Sequence, residues 1–147
     1  MSSIIGANAY LILHGKAEQA IELYKTALGA ELQMLQRFGD VDQACPEASK
    51  QQIMHAELRL GSALIMLSDG AKLDASAASA SARSSGASVS IALALTDPTE
   101  TRRCFDALAA SGTVIEPLFD APWGALFGVL RDAFGVSWMF NCMKPAT

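Results

Sequence analysis

The chain has 147 residues, 51% hydrophobic and 18% charged, with mean hydropathy +0.26; this excludes a wholly disordered chain and suits one compact domain or two small half-domains sharing a core. A net charge of −4 and a sequence pI near 5.0, with no cluster of Lys or Arg, leave no footprint for nucleic acid or an anionic membrane surface. The charged share falls below the ~25% usual for globular domains, so apolar surface is expected to be covered by a partner, and a homodimer is the expectation.

In chain order, residues 7–13 form a short apolar run that predicts a first strand, broken by Gly15. Ala17, Ala20, Ile21, Tyr24 and Leu28 then recur at helical spacing, and Gly29 stands where a helix is released, so an amphipathic helix is predicted. Residues 31–38 read as a second strand, and 39–50, polar and carrying Pro46, as a loop. Residues 52–60 alternate as a half-buried strand does, with Ile53, His55, Glu57 and Arg59 on one face and Met54, Ala56, Leu58 and Leu60 on the other. Gly61-Ser62 turns the chain into residues 63–67, apolar on both faces and closed by Ser68-Asp69-Gly70, which reads simply as a turn. The first module, residues 1–70, is thus β-α-β-β-β.

Residues 71–87 are rich in Ala and Ser, with too few large apolar groups to anchor a core; a flexible linker is predicted, a catalytic lid being the sharper alternative. Residues 88–95 predict a strand, and Asp97-Pro98-Thr99-Glu100 a helix start with Asp97 or Thr96 as cap; the helix runs over about 99–110. Strands at 114–119, 125–130 and 136–142 complete the second module, residues 88–147. The last strand follows Asp132-x-x-Gly135, whose aspartate can bond back to the turn and whose glycine can take positive φ. AIELYKTALGAEL and RCFDALAASGTVIEPL both run helix, small residue, glycine, strand, which is an internal repeat. A sheet with a helix on one face leaves its other face bare, so the predicted fold is α+β: two βαβββ modules forming a curved mixed sheet, helices on the outer face.

No apolar run approaches the ~18 residues of a membrane span, and the start, MSSIIGANAY, has no charged segment ahead of a long apolar one, so a cytoplasmic protein is expected. Cys45, Cys104 and Cys142 are odd in number and widely spaced, which speaks against a disulfide framework or zinc knuckle; buried thiols are expected.

Three motifs in this order, AEQAIELYKTALGAEL, MHAELRLGSALIMLSDG and RDAFGVSWMFN with the preceding Trp123-Gly124, resemble the vicinal oxygen chelate superfamily, the glyoxalase and bleomycin-resistance fold. Within it the chain is most similar to the PhnB-like branch, often labelled 3-demethylubiquinone-9 3-methyltransferase-like. The resemblance covers essentially the whole chain and implies a homodimer with a ligand cup in the concave sheet. It also implies, for metal-dependent members, one His, Glu or Gln ligand on each of four strands. Matched position by position, those places hold Ala9, Met66, Ser90 and Met139. Alanine has no donor, serine is weak and thioethers suit soft copper, so the usual metal site is expected to be missing and no cofactor is anticipated. A shift of one residue offers Asn8, Leu67 or Asn141, which does not restore it. A methyltransferase needs a cofactor fold that this length and repeat do not provide, so that label is discounted.

Two groups of side chains carry candidate chemistry. His55 and Glu57, two apart on one strand face with Arg59 next, could be a base and its orienting carboxylate, or two ligands of a displaced metal with His14 as a remote third; the plainer alternative is the polar rim of an amphipathic strand. Trp123, between Pro122 and Gly124, could stack on a flat ligand or instead plug the core or dimer seam. Ser90 and Asn141 could bond a ligand from inside the cup or be satisfied by neighbouring backbone. Tyr10, Phe127 and Trp138 read as core. No phosphate loop, nucleophile elbow or GxGxxG is present. The leading expectation is a protein that holds a small molecule in the cup without a metal. The alternatives are a small-metabolite enzyme (lyase, isomerase or dioxygenase type) using His55 and Glu57, and a dimeric scaffold without a small ligand.

Overall fold

Alternation of apolar and polar side chains builds the same four-stranded sheet twice in this chain, whose computed structural model describes residues 3–70 and 88–144. The predicted linker at 71–87 lies outside the described residues. The chain divides into two compact units, Met1–Ser79 and Ala80–Thr147. The first contains β1 (Tyr10–Ile12), α1 (Ala17–Leu28), β2 (Glu31–Arg37), α2 (Phe38–Val41), α3 (Glu47–Lys50), β3 (Ile53–Leu60) and β4 (Ala63–Ser68). The second contains β5 (Ile91–Leu95), α4 (Pro98–Ala109), β6 (Thr113–Asp120), β7 (Ala125–Arg131) and β8 (Ser137–Met143). The sheet orders are β1-β4-β3-β2 and β5-β8-β7-β6; in each the first strand runs parallel to its neighbour and the other pairings are antiparallel. Each unit is therefore an α+β βαβββ module.

The two long helices, α1 and α4, each bury one face. Ala17, Ala20, Ile21, Tyr24 and Ala27 of α1 are buried with Ala56 and Leu58 of β3 and Ile65 and Leu67 of β4. The small residues on α1 let the helix lie close to the sheet while Tyr24 and Ile21 supply apolar bulk. Gly29 ends α1 with φ 71°, and the amides of Gly29 and Ala30 return to the carbonyls of Lys25 and Tyr24, the glycine-closed end the sequence predicts. In the second unit Asp97 caps α4, its carboxylate accepting from the Thr99 amide at 3.0 Å with Pro98 in the first turn. Phe105 of α4 meets Phe140 of β8 edge-on, ring centroids 5.2 Å apart.

Buried aspartates tie the elements together. Asp69, just after β4, accepts from the Ala17 amide at the start of α1 (2.8 Å) and from the Ile53 amide at the start of β3 (2.7 Å). What reads in sequence as a simple turn is thus a carboxylate that caps a helix 52 residues away and fixes a strand. Asp132 binds the amides of Phe134 and Val136 and the indole Nε1–H of Trp138, at 2.8, 3.0 and 2.9 Å, while Gly135 takes φ 87°. The expectation that Asp132 bonds back to its turn and Gly135 relieves it holds in full.

Differences from expectation are local. The stretch at 39–50 read as a loop contains α2 and α3, single turns too short for periodicity to reveal. β1 covers three residues, Tyr10–Ile12, with the Ala9 carbonyl and the Leu13 amide adding one hydrogen bond each to β4 at its ends. Among the described residues no helix is long and apolar enough to cross a membrane.

Candidate functional site

On each sheet the side chains turned away from the helix form the candidate surface. In the first unit Ala56 and Leu58 point to α1, which leaves His55, Glu57 and Arg59 on the opposite face of β3. Strand register adds to them Met66 of β4 and Met34 of β2, both paired with Glu57, and Gln36 of β2, paired with His55. Tyr10 of β1 pairs with Met66 and lies on that face as well. Its hydroxyl reaches His55 Nδ1 at 3.0 Å, with the two rings tilted 32° and centroids 5.5 Å apart. The other imidazole nitrogen, Nε2, lies 3.0 Å from Glu57 Oε2. The two predicted residues thus come together, and the third member is Tyr10. His14 sits in the turn after β1 with φ 50° and its Nδ1 bonds neither of them. Tyr10, read as core, is 44% exposed, because β1 is an edge strand with only one covered face.

In the second unit Trp138, Phe140 and Cys142 of β8 face α4, leaving Met139 and Asn141 on the open face beside Ala92 and Ala94 of β5 and Val129 and Phe127 of β7. Trp123 stands in the β6–β7 turn, opened by Gly124 at φ 87°, and remains 53% exposed. Its indole Nε1–H donates to Asn141 Oδ1 at 3.0 Å, and its ring meets Phe127 edge-on at 5.2 Å; Phe127 in turn meets Phe119 at 6.2 Å. Trp123 and Asn141, 18 residues apart, are therefore one arrangement. Phe127, read as core, is half-buried and forms its wall. The base of the turn is closed by an ion pair of Lys144 with Asp120, whose hydrogen bond and charge hold the Asp120 carboxyl below the ordinary aspartate range. Ser90 is engaged elsewhere: its hydroxyl lies 2.5 Å from that of Ser137.

Residues 6–140 match the Glyoxalase/Bleomycin resistance protein/Dioxygenase superfamily. The chain belongs to this superfamily. Protein YjdN of Escherichia coli (strain K12) is 30% identical over 145 residues, 92% of this chain and 93% of YjdN. The solved structure of PA1353 from Pseudomonas aeruginosa is 34% identical, with a TM-score of 0.78 over 97% of this chain and 100% of that one. The PhnB protein from Bacillus cereus shares the fold at 22% identity, with a TM-score of 0.73 over 92% and 98% of the two chains.

A divalent metal of the kind glyoxalase-superfamily members can carry does not fit the donors present. Register shifts two of the four matched places: Met66 faces Tyr10 rather than Ala9, whose carbonyl is bonded to the Met66 amide, and Met139 faces Ala92, two residues beyond Ser90. The four places then hold a phenol, two thioethers and a methyl group, a poor set for a hard or borderline cation. The shifted candidate Asn8 donates its side-chain amide to the Leu64 carbonyl. Among the described residues no three His, Cys, Asp or Glu side chains come together as a metal-binding group.

Proposed function

We propose that the protein binds a small, flat, partly apolar molecule on the open sheet face of its second unit, without a divalent metal. The observation that carries this reading is the fixed yet exposed indole of Trp123. A tryptophan filling a core is buried, as Trp138 is; Trp123 is held by Asn141 and Phe127 with half its surface open to solvent. Such a ring offers a π-face for stacking, Phe119 and Phe127 supply an apolar wall, and the Asn141 amide keeps its Nδ2–H donors for a carbonyl or carboxylate oxygen. The donor set at the superfamily's metal positions supports the metal-free part of the reading.

The same reading carries a cytoplasmic homodimer. Its support is the low share of charged residues and the exposed Ile12, Val41, Val114 and Ile115, apolar surface of the kind a partner subunit covers.

The protein's two tryptophans make a direct test, since only Trp123 is open to quenching. Screening small aromatic and carbonyl metabolites should find a compound that quenches this fluorescence and, at about a hundredfold excess over Kd, stabilises the fold by about 2.7 kcal/mol. Trp123→Ala should abolish both effects. Stabilisation that survives Trp123→Ala places the ligand elsewhere, and a stoichiometric divalent ion in protein purified without chelator refutes the metal-free reading.

A further inference from the structure

We propose that Tyr10, His55 and Glu57 form a proton relay on the open face of the first sheet, with the Tyr10 hydroxyl as the group that meets a small molecule carrying a weakly acidic hydrogen. This site lies on a different unit from Trp123 and does not depend on binding there.

Three strands assemble it. β4 lies between β1 and β3, and the Tyr10 phenol spans the Met66 row to reach the imidazole. Both ring nitrogens of His55 are then engaged at 3.0 Å, one by a hydroxyl and one by a carboxylate. A neutral imidazole has one donor and one acceptor, and an ionised carboxylate can only accept. One tautomer satisfies both contacts: Nε2–H donates to Glu57, and the Nδ1 lone pair receives the Tyr10 O–H. Glu57 thereby orients the ring and is placed to stabilise an imidazolium, and the basic nitrogen is directed at the phenol rather than at solvent.

Accessibility assigns the ends of the relay. His55 and Glu57 are half-buried, whereas Tyr10 is exposed. Nearby groups do not compete. Met66 on β4 and Met34 and Gln36 on β2 carry no charge, and Arg59, the next residue on that face of β3, is opposite Glu31.

The step is a balanced double proton transfer. The phenol oxygen takes the hydrogen from the ligand as its own proton passes to Nδ1, the electron pair of the broken bond stays on the ligand, and the imidazolium so formed is paired with the Glu57 carboxylate. Returning the proton along the same path resets the site. No oxidant, reductant or metal is required. Tyr10 is the catalytic residue in this scheme, and His55 and Glu57 are positioning residues.

Nitrobenzisoxazole serves as the probe, because loss of its acidic C–H forms a nitrile, breaks the ring N–O bond and releases a coloured phenolate in one step. The full chain should open it faster than buffer, and Tyr10→Phe should remove about 100-fold of that excess, within the span of general acid–base catalysis. The melting temperature of Tyr10→Phe reports whether the fold is kept. In 15N spectra His55 should carry its proton on Nε2, Tyr10→Phe should shift the Nδ1 resonance, and Glu57→Gln should populate both tautomers and also slow the ring opening, the rate being the readout that a merely structural contact would not move. Ring opening at the buffer rate, an equal rate in a folded Tyr10→Phe, or a His55 protonated on Nδ1 alone would each overturn the relay.

Discussion

A Cβ added at Gly128 would stand 2.9 Å from both Leu118 Cδ2 and Phe105 Cε2, and 3.2 Å from the Glu116 carbonyl. Gly128 lies on the helix side of β7, so the missing side chain is what lets α4 and β6 close over that strand. Gly128→Ala should therefore cost about 1–3 kcal/mol, the usual range for overpacking. A lowered denaturant midpoint at unchanged slope is the measurement, and an unchanged midpoint would show that Phe105 and Leu118 move aside easily. Glycine in a strand is visible in sequence, but the residues it makes room for are 10 and 23 positions away and no local pattern links them. Tyr10 teaches the same lesson. Its apolar neighbours read as core, and only pairing with Met66 shows which face it takes.

At the scale of elements, the long periodic segments were legible and the single turns were not. α1 spans the residues its apolar spacing predicts: Ala17, Ala20, Ile21 and Tyr24 are buried as that spacing implies, with Ala27 rather than Leu28 as the fifth. α2 and α3 bury no residue, so no hydrophobic pattern announces them. The role of Asp69 was equally hidden. Its two acceptor contacts join the starts of α1 and β3 to the end of β4, and all three are distant in sequence. Asp69→Ala leaves the buried amides of Ala17 and Ile53 without those acceptors, at about 1–3 kcal/mol per unsatisfied donor. Hydrogen exchange should accelerate at both amides, while slow exchange retained there would mean that other groups or water replace the carboxylate.

For the whole molecule, the thiols give a prediction that spans both units. Cys104 and Cys142 are buried and Cys45 is half-exposed. Burial also pushes the Cys104 thiol above its ordinary pKa, so less of the reactive thiolate exists at neutral pH. An alkylating reagent should modify Cys45 first and reach the other two only as the protein unfolds. Prompt labelling of Cys104 in the native protein would contradict the packing of α4 against its sheet. The expectation of buried thiols is thus met at two positions and corrected at the third, which precedes α3 outside the sheet core.

The repeat, the two long helices and their ends, the turn at Asp132 and Gly135, and membership of the superfamily were legible along the chain, because each is written in spacing within a few residues or in a contiguous motif. The sequence by itself also brought His55 next to Glu57, since two positions on one strand face are neighbours by geometry alone. Tertiary structure decided the rest: that Trp123 is fixed to Asn141, that Ser90 is held by Ser137, that Asp69 caps a helix, and that Tyr10 completes the His55 pair. Each of these depends on strand order and register between distant segments, where one residue of slip would turn a side chain to the opposite face.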